Sequence, residues 1–187
     1  MGRTFDAIPD HLAEWMGAQP VFFVATAPLA ADGHVNVSPK GGDTFRVLSS
    51  TEVAYLDLTG SGAETIAHTR ENGRLTVMFC SFDAKPLILR LYGRATTVRP
   101  DEPGWDDLAA RFPEQPGARA VIRLAVDRVS TSCGYAVPHM ELVRPRTTLD
   151  DWAARQGEDA LVTYRDRKNR TSIDGLPALD GAPAATP

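Results

Sequence analysis

Apolar residues recur along this chain mostly with a period of two, and only in short stretches with the helical period of 3.6. Val21-Phe22-Phe23-Val24-Ala25-Thr26-Ala27 is nearly all apolar and rich in β-formers, which predicts a buried strand. Asp32-Gly33 predicts a hairpin turn. The return strand Val35-Asn36-Val37-Ser38 alternates, and its alternation stops at Pro39, which has no ladder donor. Further strands are predicted over 45–48, 53–58, 75–80, 87–98 and 119–129. In the long stretch 87–98, Leu87, Leu89, Leu91 and Ala95 share one face, and Ile88, Arg90, Tyr92 and Arg94 the other. Gly93 in its middle predicts a bend or bulge.

The helical period is local. Ile8, Leu12, Trp15 and Met16 make one helix face, with Pro9 in its first turn and Gly17 and Pro20 at its end. Residues 63–72 form a second helix stopped by Gly73. A short helix is expected over 103–112. A longer stretch over 149–168 is broken at Gly157 and opened by Thr148 with Asp151. Residues 180–187, rich in Ala, Pro and Gly, are expected to be a disordered tail. The picture is a mainly β chain with peripheral α-helices: one domain over 1–179, built as an antiparallel barrel with a C-terminal helical segment.

Composition narrows the function. At 187 residues and 43% apolar content, the chain suits a single core. A net charge of −4 without a basic cluster argues against a nucleic-acid or membrane surface. Arg165, Arg167, Lys168 and Arg170 fit a helix C-terminus. With neither a signal-like apolar stretch nor a membrane-length run, a cytoplasmic protein is expected. Cys80 and Cys133 read as free thiols, the first packed in a strand and the second in a polar turn. The four histidines have no metal-ligand spacing, and no metal is expected; His34 reads as a turn residue and His68 as a helix-surface residue.

Two segments carry candidate chemistry. Asn36-Val37-Ser38-Pro39-Lys40-Gly41 places a lysine, an amide and a hydroxyl at a strand end. Lys40 offers a mobile point charge for a phosphate or the electron-rich edge of a ring. Leu58-Thr59-Gly60-Ser61-Gly62 joins a strand to a helix start, with Thr65 one turn in. Backbone N–H groups at such a start favour anions, and glycines permit close approach. This is not a dinucleotide fingerprint, since Thr65 occupies the third glycine position of G-x-G-x-x-G. Arg90 reads either as part of a solvated stripe or as an anion clamp. The patterned stretch 168–179 reads either as a flap over a partner's cleft or as a strap on the last helix.

Val35-Asn36-Val37-Ser38-Pro39-Lys40-Gly41, Val53-Ala54-Tyr55-Leu56-Asp57, Thr59-Gly60-Ser61-Gly62-Ala63-Glu64-Thr65-Ile66 and Arg90-Leu91-Tyr92-Gly93-Arg94-Ala95, in this order, resemble the pyridoxamine 5′-phosphate oxidase-like family over roughly residues 10–135. The resemblance implies a six-stranded antiparallel split barrel, a homodimer, and FMN bound in clefts between subunits. It places Ser38 and Lys40 along the flavin ring, and Ser61, Gly62 and Thr65 near the phosphate. Thr65 stands where the oxidases carry a lysine or arginine, with Glu64 beside it. Lys40, Arg90 or an arginine of the partner chain are the candidates to compensate. The oxidases' C-terminal substrate motif is not recognisable, so pyridoxamine phosphate oxidation itself is not expected. The implied activity is an FMN-dependent oxidoreductase acting on a small-molecule substrate. The deazaflavin F420, or a non-catalytic flavin or haem carrier on the same barrel, is the alternative.

Overall fold

A computed structural model describes residues 2–179; the tail expectation for 180–187 lies outside the described residues. The strands are β1 (Arg3–Phe5), β2 (Val21–Thr26), β3 (Asn36–Gly41), β4 (Phe45–Ser49), β5 (Glu52–Leu58), β6 (Arg74–Cys80), β7 (Ile88–Val98) and β8 (Ala118–Ser132). The helices are α1 (Asp10–Gly17), α2 (Glu64–Asn72), α3 (Trp105–Ala109), α4 (Thr148–Gln156) and α5 (Glu158–Lys168). The eight strands among the described residues join one antiparallel sheet, where the resemblance implied six. Its order is β3-β2-β6-β7-β8-β5-β4, with β1 added on β8. At three residues, β1 is too short to carry a periodic signal.

The sheet curls on itself. Phe22 on β2 meets Phe45 on β4 at 5.3 Å and Tyr55 on β5 at 5.7 Å, ring centre to ring centre. Phe45 meets Phe79 on β6 at 4.9 Å. Strands remote in the sheet order therefore share one aromatic core, and the barrel is left split between its edge strands β3 and β4. The long β8 makes this possible by pairing with β7 along its length and with β5 and β1 on its other side. The expected bulge falls between Tyr92 and Gly93. A Cβ on Gly93 would run into the Ala125 carbonyl, so glycine is required there.

Two expectations need correction. The return strand does not end at Pro39: β3 runs to Gly41, with Pro39 opposite Phe23. As an edge strand, β3 tolerates a residue lacking an N–H. Nor is β2 buried on both faces. Phe22, Val24 and Thr26 enter the core, whereas Val21, Phe23 and Ala25 are half-buried on the outside. By contrast β5 is covered twice, because Leu108 and Trp105 of the α3 region pack with Leu56, Phe112 and Val121 on its outer side.

The helices close the ends. Leu12 and Met16 bury one face of α1. Gly73, at φ 69°, ends α2 as expected by donating to the His68 and Thr69 carbonyls. Gly157, at φ 72°, separates α4 from α5. The residue opening α4 is Thr147, one earlier than expected; its Oγ1 donates to Asp151 Oδ2 at 2.8 Å.

Candidate active-site cleft

Both segments singled out in the sequence border one open cleft of about 360 Å³. Strand alternation turns Asn36, Ser38 and Lys40 inward, opposite Thr26, Val24 and Phe22, and leaves Val37 outward and 63% exposed. Ser38, Pro39, Lys40 and Gly41 form one wall. Leu56, Asp57 and Leu58 form the facing wall, and Thr59, Gly60, Gly62 and Thr65 lead from it into α2. Thr44, Ala63 and Glu64, with Arg119 from the start of β8 and Leu149 from α4, complete the lining.

A buried charged group holds the walls together. Asp57 is 1% exposed. Its Oδ1 accepts from Lys40 Nζ at 2.7 Å and its Oδ2 from Arg119 Nε at 2.7 Å. Burial by itself would raise the carboxyl's pKa. The charges of Arg119 and then Lys40 outweigh it, bringing the value down to about 2. Asp57 is therefore an anion at neutral pH, clamped between two cations. Arg119 reaches further, donating to the Gly62 carbonyl at 2.8 Å and the Gly60 carbonyl at 3.4 Å. The glycine turn is thus positioned by a side chain from another strand.

A neutral network runs beside it. Ser38 Oγ donates to Asn36 Oδ1 at 2.9 Å. Asn36 Nδ2 donates to Thr65 Oγ1 at 3.1 Å and Thr26 Oγ1 at 3.2 Å. Thr26 Oγ1 is 2.9 Å from Nδ1 of His68. His68 is fully buried under α2, not a surface residue as expected, because its side of α2 faces the sheet. Burial holds its pKa below the ordinary value, against the pull of Glu71, Asp174 and Glu64.

The C-terminal segment braces the turn of its own chain. Arg165 Nε donates to Thr59 Oγ1 at 2.9 Å, and Asn169 Nδ2 to the Gly60 carbonyl at 2.9 Å. Asp174 accepts from the backbone N–H of His34 at 2.8 Å and meets its ring at 2.6 Å. Ala178 is buried in the core. Within its own chain, 168–179 makes the contacts of a strap, securing the glycine turn and α2 as well as α5.

Among the thirteen sequence candidates, Asn36, Val37, Ser61 and Arg90 do not line the cleft. Asn36 acts behind it through Thr65. Arg90 stands on the outer sheet face, in register with Met78, with its guanidinium on Ser132 Oγ at 3.2 Å. Sequence reasoning missed Asp57 and Arg119 as site residues. A carboxylate inside the apolar run Val53–Leu58 was the available signal, since a buried charge requires a partner. The partner, 62 residues away, had none. Among the described residues no group of three metal-ligating side chains assembles.

Comparison with known proteins bears on the family and the fold. The family model for pyridoxamine 5′-phosphate oxidase matches residues 8–133. The Aspergillus flavus pyridoxamine 5′-phosphate oxidase family protein ustO is 42% identical over 197 residues, covering 95% of this chain and 78% of that one. HupZ of Group A Streptococcus superposes with a TM-score of 0.51 at 21% identity, over 65% of this chain and 91% of that one. A candidate pyridoxamine 5′-phosphate oxidase of Lactobacillus delbrueckii superposes with a TM-score of 0.51 at 18% identity, over 67% and 94%.

Proposed function

The chain belongs to the pyridoxamine 5′-phosphate oxidase family, and from that premise we propose that its cleft binds a flavin, FMN, and serves a flavin-dependent oxidoreductase. The observation that carries the reading is Lys40: its ammonium is fixed on Asp57, remains 22% exposed, and faces a cleft walled by a glycine turn. One of its three N–H groups goes to Asp57. The side chain is thereby aimed without being fully consumed.

The residues fit the ring end of such a ligand. Leu58 and Leu149 in the lining would offer apolar cover for a flat ring, and Ser38 with Lys40 would offer polar contacts at its edge. Lys40 would set a positive charge beside a bound ring and so favour its reduced, negatively charged form. Asp57 keeps that ammonium in place, and Arg119 keeps the turn in place. A bound flavin supplies the two-electron chemistry; the protein's part is binding, orientation and electrostatics.

The reading extends to a homodimer whose second subunit closes the cleft. Support comes from the half-buried outer residues Val21, Phe23 and Ala25. Exposed Val37 lies beside them, and Tyr135, Met140 and Val143 in the irregular arm after β8 are further exposed apolar side chains. Light scattering reads the assembly directly, and a monomer at micromolar concentration overturns this part. No helix among the described residues is long and apolar enough to cross a membrane.

Titration of FMN into purified protein, read by flavin fluorescence quenching, tests the central claim. Saturable binding is expected, weakened about tenfold or more in Lys40→Met. Absence of binding by FMN overturns the reading. Binding of F420 in its place selects the deazaflavin alternative.

A further inference from the structure

Glu64 is the first residue of α2, directly after the glycine turn. Ala63 before it contributes no side-chain cap. Glu64 Oε2 is 2.6 Å from the point that a Cβ on Gly62 would occupy, so the carboxylate folds back over the turn. Its Oε1 accepts from the backbone N–H of Ile173 in the strap at 3.3 Å. This carboxylate lines the cleft at the positive end of the helix, the position that suits a phosphate.

The charge balance of the cleft points the same way. Its ionised lining residues are two cations, Lys40 and Arg119, and two anions, Asp57 and Glu64. Both cations are already shared with Asp57, and Arg119 also serves the Gly60 and Gly62 carbonyls. An oxidised flavin ring is uncharged and is little affected by Glu64. A phosphate dianion meets it directly.

We propose that Glu64 is a specificity-determining residue that competes with the phosphate for the start of α2. The cleft then holds a flavin mainly by its ring, and FMN exchanges readily instead of remaining resident. This inference rests on the flavin reading above and concerns the ligand's tail alone.

Riboflavin and FMN titrated separately into flavin-free full-length protein, read by fluorescence quenching, provide the test. Wild type is expected to bind the two within about threefold of each other. Glu64→Gln keeps the shape and the Ile173 contact, and is expected to tighten FMN about tenfold or more. Riboflavin affinity should stay within about twofold. Wild type that already prefers FMN by more than about tenfold overturns the proposal, as does a Glu64→Gln variant that shifts both ligands equally or neither. Should the variant fold poorly, as a thermal melt will reveal, the wild-type ratio decides alone. If neither flavin binds, the flavin reading itself fails, a result distinct from both ligands binding without discrimination at residue 64.

Discussion

Asp57 and Asn36 both tie the edge strand β3 to elements across the cleft, one with charge and the other without. Each Asp57 oxygen receives a cation, and the residue is sealed from water. Asn36 joins Ser38, Thr26 and Thr65 in a neutral web whose far end, His68, keeps a buried Nε2 with no partner. The contrast follows from desolvation. A buried carboxylate without cations costs far more than a buried imidazole nitrogen without a partner, so only the second is tolerated. The charged network also does more spatially, because Arg119 carries it on to the glycine turn.

The largest expected effect breaks the charged side of this contrast. Arg119→Met leaves Asp57 with Lys40 alone and removes one brace of the glycine turn; a loss of about 3–5 kcal/mol in chemical denaturation is expected. A loss below about 1 kcal/mol would show that Lys40 and water suffice. Acid unfolding sharpens the same point. Asp57 is depressed from 3.8 to about 2, so its contribution is complete above the unfolded value and disappears as pH falls through about 2. About 2 kcal/mol of stability should be lost between about pH 5 and 2, and Asp57→Asn should lose this dependence.

The neutral side yields smaller numbers. Asn36→Ala removes a partner from each of Ser38, Thr26 and Thr65 and should cost about 1.5 kcal/mol in the same assay. The smallest effect is expected at the orphan: His68→Leu removes an unpaired buried nitrogen and should alter stability by less than about 1 kcal/mol. Because the folded state keeps His68 below its ordinary pKa of 6.5, His68 itself should subtract stability as pH falls through that value, while His34, raised by Asp174, acts in the opposite sense. His68→Leu should flatten that slope, and an unchanged slope would place the titration elsewhere.

Several elements were legible because a local rule dictates each. The period-two runs named the long strands, Gly73 named the end of α2, and Gly93 named a bulge that a side chain would block. The two cleft segments were legible as well, since strand-end and helix-start chemistry is local. Other features were misread for want of their neighbours. Pro39 reads as a terminator until β3 is known to be an edge. His68 reads as exposed until the sheet is placed under α2. Arg90 reads equally as clamp or stripe, and the register with Met78 puts it on the outer face.

By itself the sequence determined a β-rich antiparallel chain, its helix stops and the chemical types at two loops, because periodicity and turn chemistry depend on residues a few positions apart. Only the tertiary structure decided that Asp57 meets both Lys40 and Arg119, and that the strap bears on the chain's own turn. Those contacts join residues 17, 62 and 109 positions apart. They exist because the sheet curls around its aromatic core and excludes the water that would otherwise solvate each charge.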